Sequence, residues 1–275
     1  MKALLIPALA LAAATGFAQS QGSSASLSSA SGRLSVVKNS IEIPVWHEKD
    51  FWPLYERYVD ADAELASATH RALHALAFLG HNSTAIEAGE AARNYFSSRF
   101  TELELRKKYY KLIEEEFNGV IGFQFLQAET VMDMMEHFGI FHGSPWNEFR
   151  FQASAIPAEH AFQAKLNMLK AAVSLSEGTS EPFVSIYTAY ENECDNLLDG
   201  YEIFSLYSGE AKDFTPALAK RLGYDLILIT ERELRLKEKY FYEMEKAVGA
   251  ELAAEFLAWE DYNSIVRKMQ VWAEP

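Results

Sequence analysis

The sequence predicts an all-α protein: two tandem copies of a unit of three long helices, joined by a connector helix and preceded by a signal peptide and a flexible tether. Three observations carry that prediction. Apolar residues recur at three- and four-residue spacing through long stretches of the 275 residues, Gly and Pro are sparse within those stretches, and the chain matches itself when displaced by 131 positions.

Met1-Lys2, the apolar run Ala3 to Ala14 and the small-x-small site Gly16-Phe17-Ala18 give residues 1–18 the order of a secretory signal peptide. Residues 19–40, rich in Ser, Ala and Gly, read as a disordered tether. The first helical repeat occupies residues 41–142. Phe51, Leu54, Tyr55, Tyr58, Leu65, Ala72, Leu73 and Leu76 mark one face of a helix from about Glu48 to Leu79, with Pro53 in its first turn. Thr84 to Glu87 has capping-box spacing for a second helix reaching about Phe117. Asn118-Gly119 makes a joint, and Ile121, Phe125, Ala128, Met132 and Met135 mark a third helix. Residues 143–178 form a connector with a short amphipathic stretch from about Ala161 to Val173, and residues 179–275 form the second repeat.

The self-match fixes that second repeat. At an offset of 131, Glu102, Leu103, Leu105, Lys108, Tyr109, Glu114, Phe125, Leu126 and Glu129 meet identical residues from Glu233 to Glu260. Asn118 falls opposite Gly249, and both types tolerate the left-handed backbone that ends a helix. One further in offset, Phe51, Tyr55, Tyr58 and Leu65 meet Phe183, Tyr187, Tyr190 and Leu197. Thr215-Pro216 supplies an N-cap and a first-turn proline for the second helix of that copy.

Charge narrows the function. Lys+Arg 25 against Asp+Glu 39 gives −14, which argues against nucleic acid and anionic membrane as partners. No stretch is apolar for long enough to span a bilayer, so the mature chain is expected to be exported, periplasmic and soluble. Cys194, the one cysteine, permits no intramolecular disulfide and no lipid attachment at the cleavage site; it reads as a packed apolar side chain, with pairing between chains as the alternative.

The chemical motifs are few. Gly-x-Ser-x-Gly, phosphate-cradling glycine loops, His-Glu-x-x-His, paired Glu-x-x-His and Cys-x-x-Cys-His do not occur. His70 and His74 stand one turn apart and have the spacing to share zinc or copper, while His81 lies about 10 Å further along the axis. A solvent-facing or packed pair is the other reading. Glu129 and Glu260 each stand to ion-pair with a basic residue such as Lys108 or Lys239; as paired carboxylates in one cleft they would support acid and base chemistry. Arg106, Lys107, Lys108 and Lys111 before Glu114, Glu115 and Glu116 read as a solvated face.

Phe51-Trp52-Pro53-Leu54-Tyr55-Glu56-Arg57-Tyr58, Leu105 to Tyr110 and Phe125-Leu126-Gln127-Ala128-Glu129 together resemble the exported Spy/CpxP-like helical proteins of Gram-negative bacteria. The resemblance implies an ATP-independent chaperone or envelope-stress protein with no catalysis, holding unfolded or partner proteins, in a family some of whose relatives bind zinc; no other cofactor is expected. It covers about Glu48 to Met135 and, more faintly, Pro182 to Val266; the family's Leu-Thr-x-x-Gln signature is missing and the charge is acidic. The alternative functions are a periplasmic zinc or copper protein using His70 and His74, and a carboxylate-based enzyme.

Overall fold

The computed structural model describes residues 30–41, 43–79, 83–149, 158–173, 175–206 and 215–273. Those residues form eight α-helices and one 3-10 turn, with no strand among them. In order these are α1 (Ala30–Ser40), α2 (Val45–Ala77), α3 (Ala85–Glu116), α4 (Gly119–His142), the 3-10 turn Pro145–Phe149, α5 (Ala158–Ala172), α6 (Glu177–Leu206), α7 (Pro216–Val248) and α8 (Ala250–Ala273). The signal peptide, residues 19–29 of the expected tether, and His81 lie outside the described residues.

The order short, long, long, long occurs twice, at the spacing of the self-match. The stretch expected to be tether therefore contains a helix, α1, and the expected connector α5 stands at the corresponding place before α6. Each run therefore has four helices where three were expected. Val37 and Ile41 are buried at four-residue spacing, and Leu166, Leu169 and Val173, at three and four, do the same in and just after α5. Burial of these stripes against the long helices holds both short helices in place.

Helix starts follow local chemistry. Thr84 accepts from the Glu87 backbone N–H while the Glu87 carboxylate accepts from the Thr84 N–H, a complete capping box for α3. Thr215 caps α7 by accepting from the Leu218 N–H, with Pro216 first in the helix. The joints at Asn118 and Gly249 match in place but not in mechanism. Gly249 has φ +97°, whereas Asn118 is extended and uses its side-chain oxygen to accept from the Val120 and Ile121 N–H groups. Pro53 also departs from expectation: α2 begins at Val45, so the proline is inside the helix.

α2 packs on α3 and α6 on α7, while α4 lies against α7 and α8 against α3. The halves thus exchange neighbours as a two-fold arrangement would, and their buried apolar residues form one continuous core. The halves also exchange ion pairs: Lys220 of α7 reaches Glu114 at 2.9 Å, and Arg93 of α3 reaches Glu245, 131 positions from Glu114, at 3.2 Å. No helix among the described residues is long and apolar enough to cross a membrane.

Candidate functional site

The sequence-predicted residues divide sharply by burial. His70 and His74 lie on an exposed face of α2 with ring centroids 6.4 Å apart, and His74 stacks on Phe78 at 4.3 Å. Among the described residues no group of three or more His, Cys, Asp or Glu is placed to hold a metal ion.

Glu129 and Glu260 are fully buried, each among charges of its own half. Glu129 accepts from Tyr55 and Tyr58 hydroxyls, both at 2.9 Å, and stands 3.6 Å from Arg33 of α1. Arg33 also pairs with Asp62, and with Glu136 at 4.0 Å. Glu260 is held by Lys165 of α5 at 3.0 Å and Arg267 at 2.7 Å, and Lys165 pairs with Glu191. The partners of these glutamates are therefore not Lys108 and Lys239, which lie on the outer surface; Lys239 pairs with Glu193 there. Arg33 and Lys165 occupy matching places, as do Tyr55 and Tyr187. In the second half the acid has moved back by a turn: Glu191 serves where Val59 would correspond, and Cys194 stands at the place of Asp62. Burial pushes the Cys194 thiol up to about 12, so it is held as a neutral packed group.

A third assembly lies between the halves. Arg106 does not share the solvated face predicted for it; it turns inward with Lys237, its counterpart at the repeat offset, while Lys107, Lys108 and Lys111 remain exposed. These two cations line an interior cavity of about 60 Å³ together with Arg99, Glu102, Asp133 and His137 from one half and Glu233, Asp261 and Lys268 from the other. That space exceeds the ~10–15 Å³ needed to admit one water, and at about 30 Å³ per water it holds on the order of two. Leu103, Met134, Leu234 and Ile265 close the walls, and half-buried Arg99, Thr130, Thr230 and Lys268 stand toward solvent.

Most of the charges are matched. Arg99 grips Asp133 with both terminal nitrogens, at 3.0 and 2.8 Å, and donates to Glu102 at 2.7 Å. Lys237 reaches Asp261 at 2.8 Å and Glu233 at 3.0 Å; Lys268 reaches Glu233 at 2.5 Å. Tyr95 donates to Asp261 Oδ1 at 2.6 Å across the boundary between halves. Two atoms are left over. Arg106 Nε has no hydrogen-bond partner, although Nη1 of the same guanidinium stands 3.6 Å from Asp133, and Asp261 Oδ2 has none. Both residues are more than nine-tenths buried, where an unmatched polar atom costs about 1–3 kcal/mol.

Two neighbouring groups titrate in opposite senses. Burial, then the Arg99 charge, drives the His137 ring down to about 4. Burial pushes the Glu136 carboxyl up to about 7, against the opposing pull of Arg33. As pH falls from 6.5 to about 4 the unfolded chain gains a proton at His137 that the folded chain refuses, so stability is lost. At Glu136 the folded chain keeps a proton that the unfolded chain has released, so stability is lost as pH rises from about 4.5 to 7. Glu136→Gln is therefore expected to raise stability at pH 7 by about 1–3 kcal/mol and to change little at pH 4.5. Urea unfolding at the two pH values checks this, and an equal loss at both would contradict it.

Sequence reasoning missed Arg33, Lys165, Arg106, Asp133 and Asp261. The basic residues had one available signal, position: Arg33 with Lys165 and Arg106 with Lys237 are basic pairs at the repeat spacing, whereas Asp133 and Asp261 had none. Comparison with protein-family models, curated proteins and solved structures finds no match for the chain.

Proposed function

We propose that the chain is an exported, non-catalytic binding protein, a tandem duplication of a four-helix unit whose ligand sits in the cavity between the two halves. One observation carries the reading: charged side chains at equivalent positions of the two halves, Glu102 with Glu233 and Arg106 with Lys237, meet around one cavity. Charged groups that converge on a recess are a common mark of a binding site. The client-holding role implied by the family resemblance would instead use the outer surface.

Thermal unfolding of the mature chain against a panel of small carboxylates, amines, amino acids, polyols and inorganic anions tests the reading. A ligand at a hundred times its Kd adds about 2.7 kcal/mol, which for a chain of this size raises the melting temperature by roughly 5–10 °C. Thr230→Phe, which narrows the mouth, is expected to abolish that rise. A panel with no saturable rise, alongside suppression of aggregation of an unfolded client at near-stoichiometric ratio, would return the reading to a client holder.

A further inference from the structure

We propose that the groove between α2 and α4 is a receptor for a short amphipathic helix that carries one basic residue with apolar residues four and eight places further on, and that α1 fills it as an exchangeable plug. The partner it fits is such a helix on a basic protein. Neither α1 nor α2 lines the cavity between the halves, so this surface is argued independently of that reading.

The rule of recognition is written twice in the chain. α1 and the residue after it bury Arg33, Val37 and Ile41, and α5 and the residue after it bury Lys165, Leu169 and Val173, matching in position and in kind at an offset of 132. Leu34 and Lys38 meet identical residues, Leu166 and Lys170, at the same offset. In each half the cation reaches a fully buried glutamate on the last long helix. Arg33 stands 3.6 Å from Glu129 and also pairs with Asp62 of α2, while Lys165 stands 3.0 Å from Glu260 and also pairs with Glu191 of α6. Anchors spaced by four along one stripe are those of a helix laid in a groove, and the buried ion pair sets its register.

The two plugs are tied differently. α5 lies between α4 and α6, with packed helices on either side of it in the chain, whereas among the described residues α1 joins the bundle through residues 41–44 alone. That link ends at Pro44, which begins α2 with no side-chain cap. A helix of 11 residues has little stability away from its groove, so α1 stands at the low end of the range of local opening energies. Release of α1 takes Arg33 from three carboxylates at once, those of Asp62, Glu129 and Glu136. On a chain of net charge −14 such a groove favours a basic occupant, and it disfavours a second copy of the chain, which carries the same charge.

Fluorescence anisotropy of labelled peptides of residues 30–41 and 158–173, titrated with the mature chain and with its Arg33→Gln variant, tests this. Both peptides are expected to bind the variant at least about tenfold more tightly than the unaltered chain, where the tethered α1 competes at high effective concentration. The 30–41 peptide carrying Arg33→Gln is expected to bind the variant at least about tenfold more weakly than its parent, because the buried carboxylates then stay without their cation. Backbone amide exchange in the unaltered chain should run at least about tenfold faster in α1 than in α5, a readout that depends on no variant. Equal binding by the parent and altered peptides, or no binding to a variant whose α1 amides exchange freely, would overturn the proposal. So would α1 amides in the variant as protected as those of α5, since Arg33 would then not be what seats the helix. A dimer that forms on concentrating the unaltered chain and is lost with Arg33→Gln would overturn the basic partner and give the groove to α1 of a second copy.

Discussion

Glu129→Ala is expected to lower the unfolding free energy by about 3–5 kcal/mol, the usual cost of removing one partner from a buried charged cluster. Glu129 is fully buried and holds the hydroxyls of Tyr55 and Tyr58 together with the guanidinium of Arg33. Truncation strands two buried hydroxyls and leaves Arg33 to Asp62 and the more distant Glu136. At roughly 2–4 °C per kcal/mol, the melting temperature should fall by about 10 °C. Glu104→Ala is the matched control, since Glu104 pairs with Lys107 at 3.4 Å on an exposed face and such a pair contributes about 0–1 kcal/mol. Urea unfolding of the two variants decides the matter; equal midpoints would mean that the buried cluster contributes no more than a surface pair.

Gly119→Ala is expected to be costly for a different reason. A β-carbon at Gly119 would fall 2.8 Å from the Lys220 backbone nitrogen and closer still to the Pro216 carbonyl oxygen. These are main-chain atoms in the first turn of α7, capped by Thr215, and they cannot step aside like the tip of a side chain. The expected loss is about 1–3 kcal/mol, felt where α4 meets α7. Gly89→Ala provides the contrast. There the obstruction is the guanidinium tip of half-exposed Arg93, which can swing away, and exchanging glycine for alanine within a helix gains about 1 kcal/mol. Gly89→Ala should therefore be neutral or mildly stabilising. Comparable losses at both sites in thermal unfolding would contradict the close approach of α4 to α7.

Both outcomes depend on features that the sequence showed unequally. Helix starts were legible because caps act locally: Thr84 with Glu87 and Thr215 with Pro216 need only their own turn. The apolar faces were legible because tyrosine, phenylalanine and leucine at helical spacing have little choice but burial. α1 was hidden by its composition. Its buried stripe is Arg33, Val37 and Ile41, spaced by four, but a stripe that starts with a charged residue among serines and a glycine reads as solvated chain. The same blindness affected the site. Periodicity treats a charge as a mark of solvent, so Arg106 was read with Lys107, Lys108 and Lys111, although those three share the outer face and Arg106 is turned away from it. Only the fold of each half could have separated Arg106 from its neighbours, because a buried charge is tolerated where a carboxylate from another helix meets it. Asp133 and Asp261 supply that condition from distant parts of the chain.

The account turns on the charged cavity between the two halves, and a crystal structure of the mature chain grown with the small molecule that most raises its melting temperature addresses it directly. The expected result is that molecule bound among Glu102, Arg106, Glu233 and Lys237, with α3, α4, α7 and α8 around it. Halves that separate at this boundary, or a molecule bound only elsewhere, would contradict it.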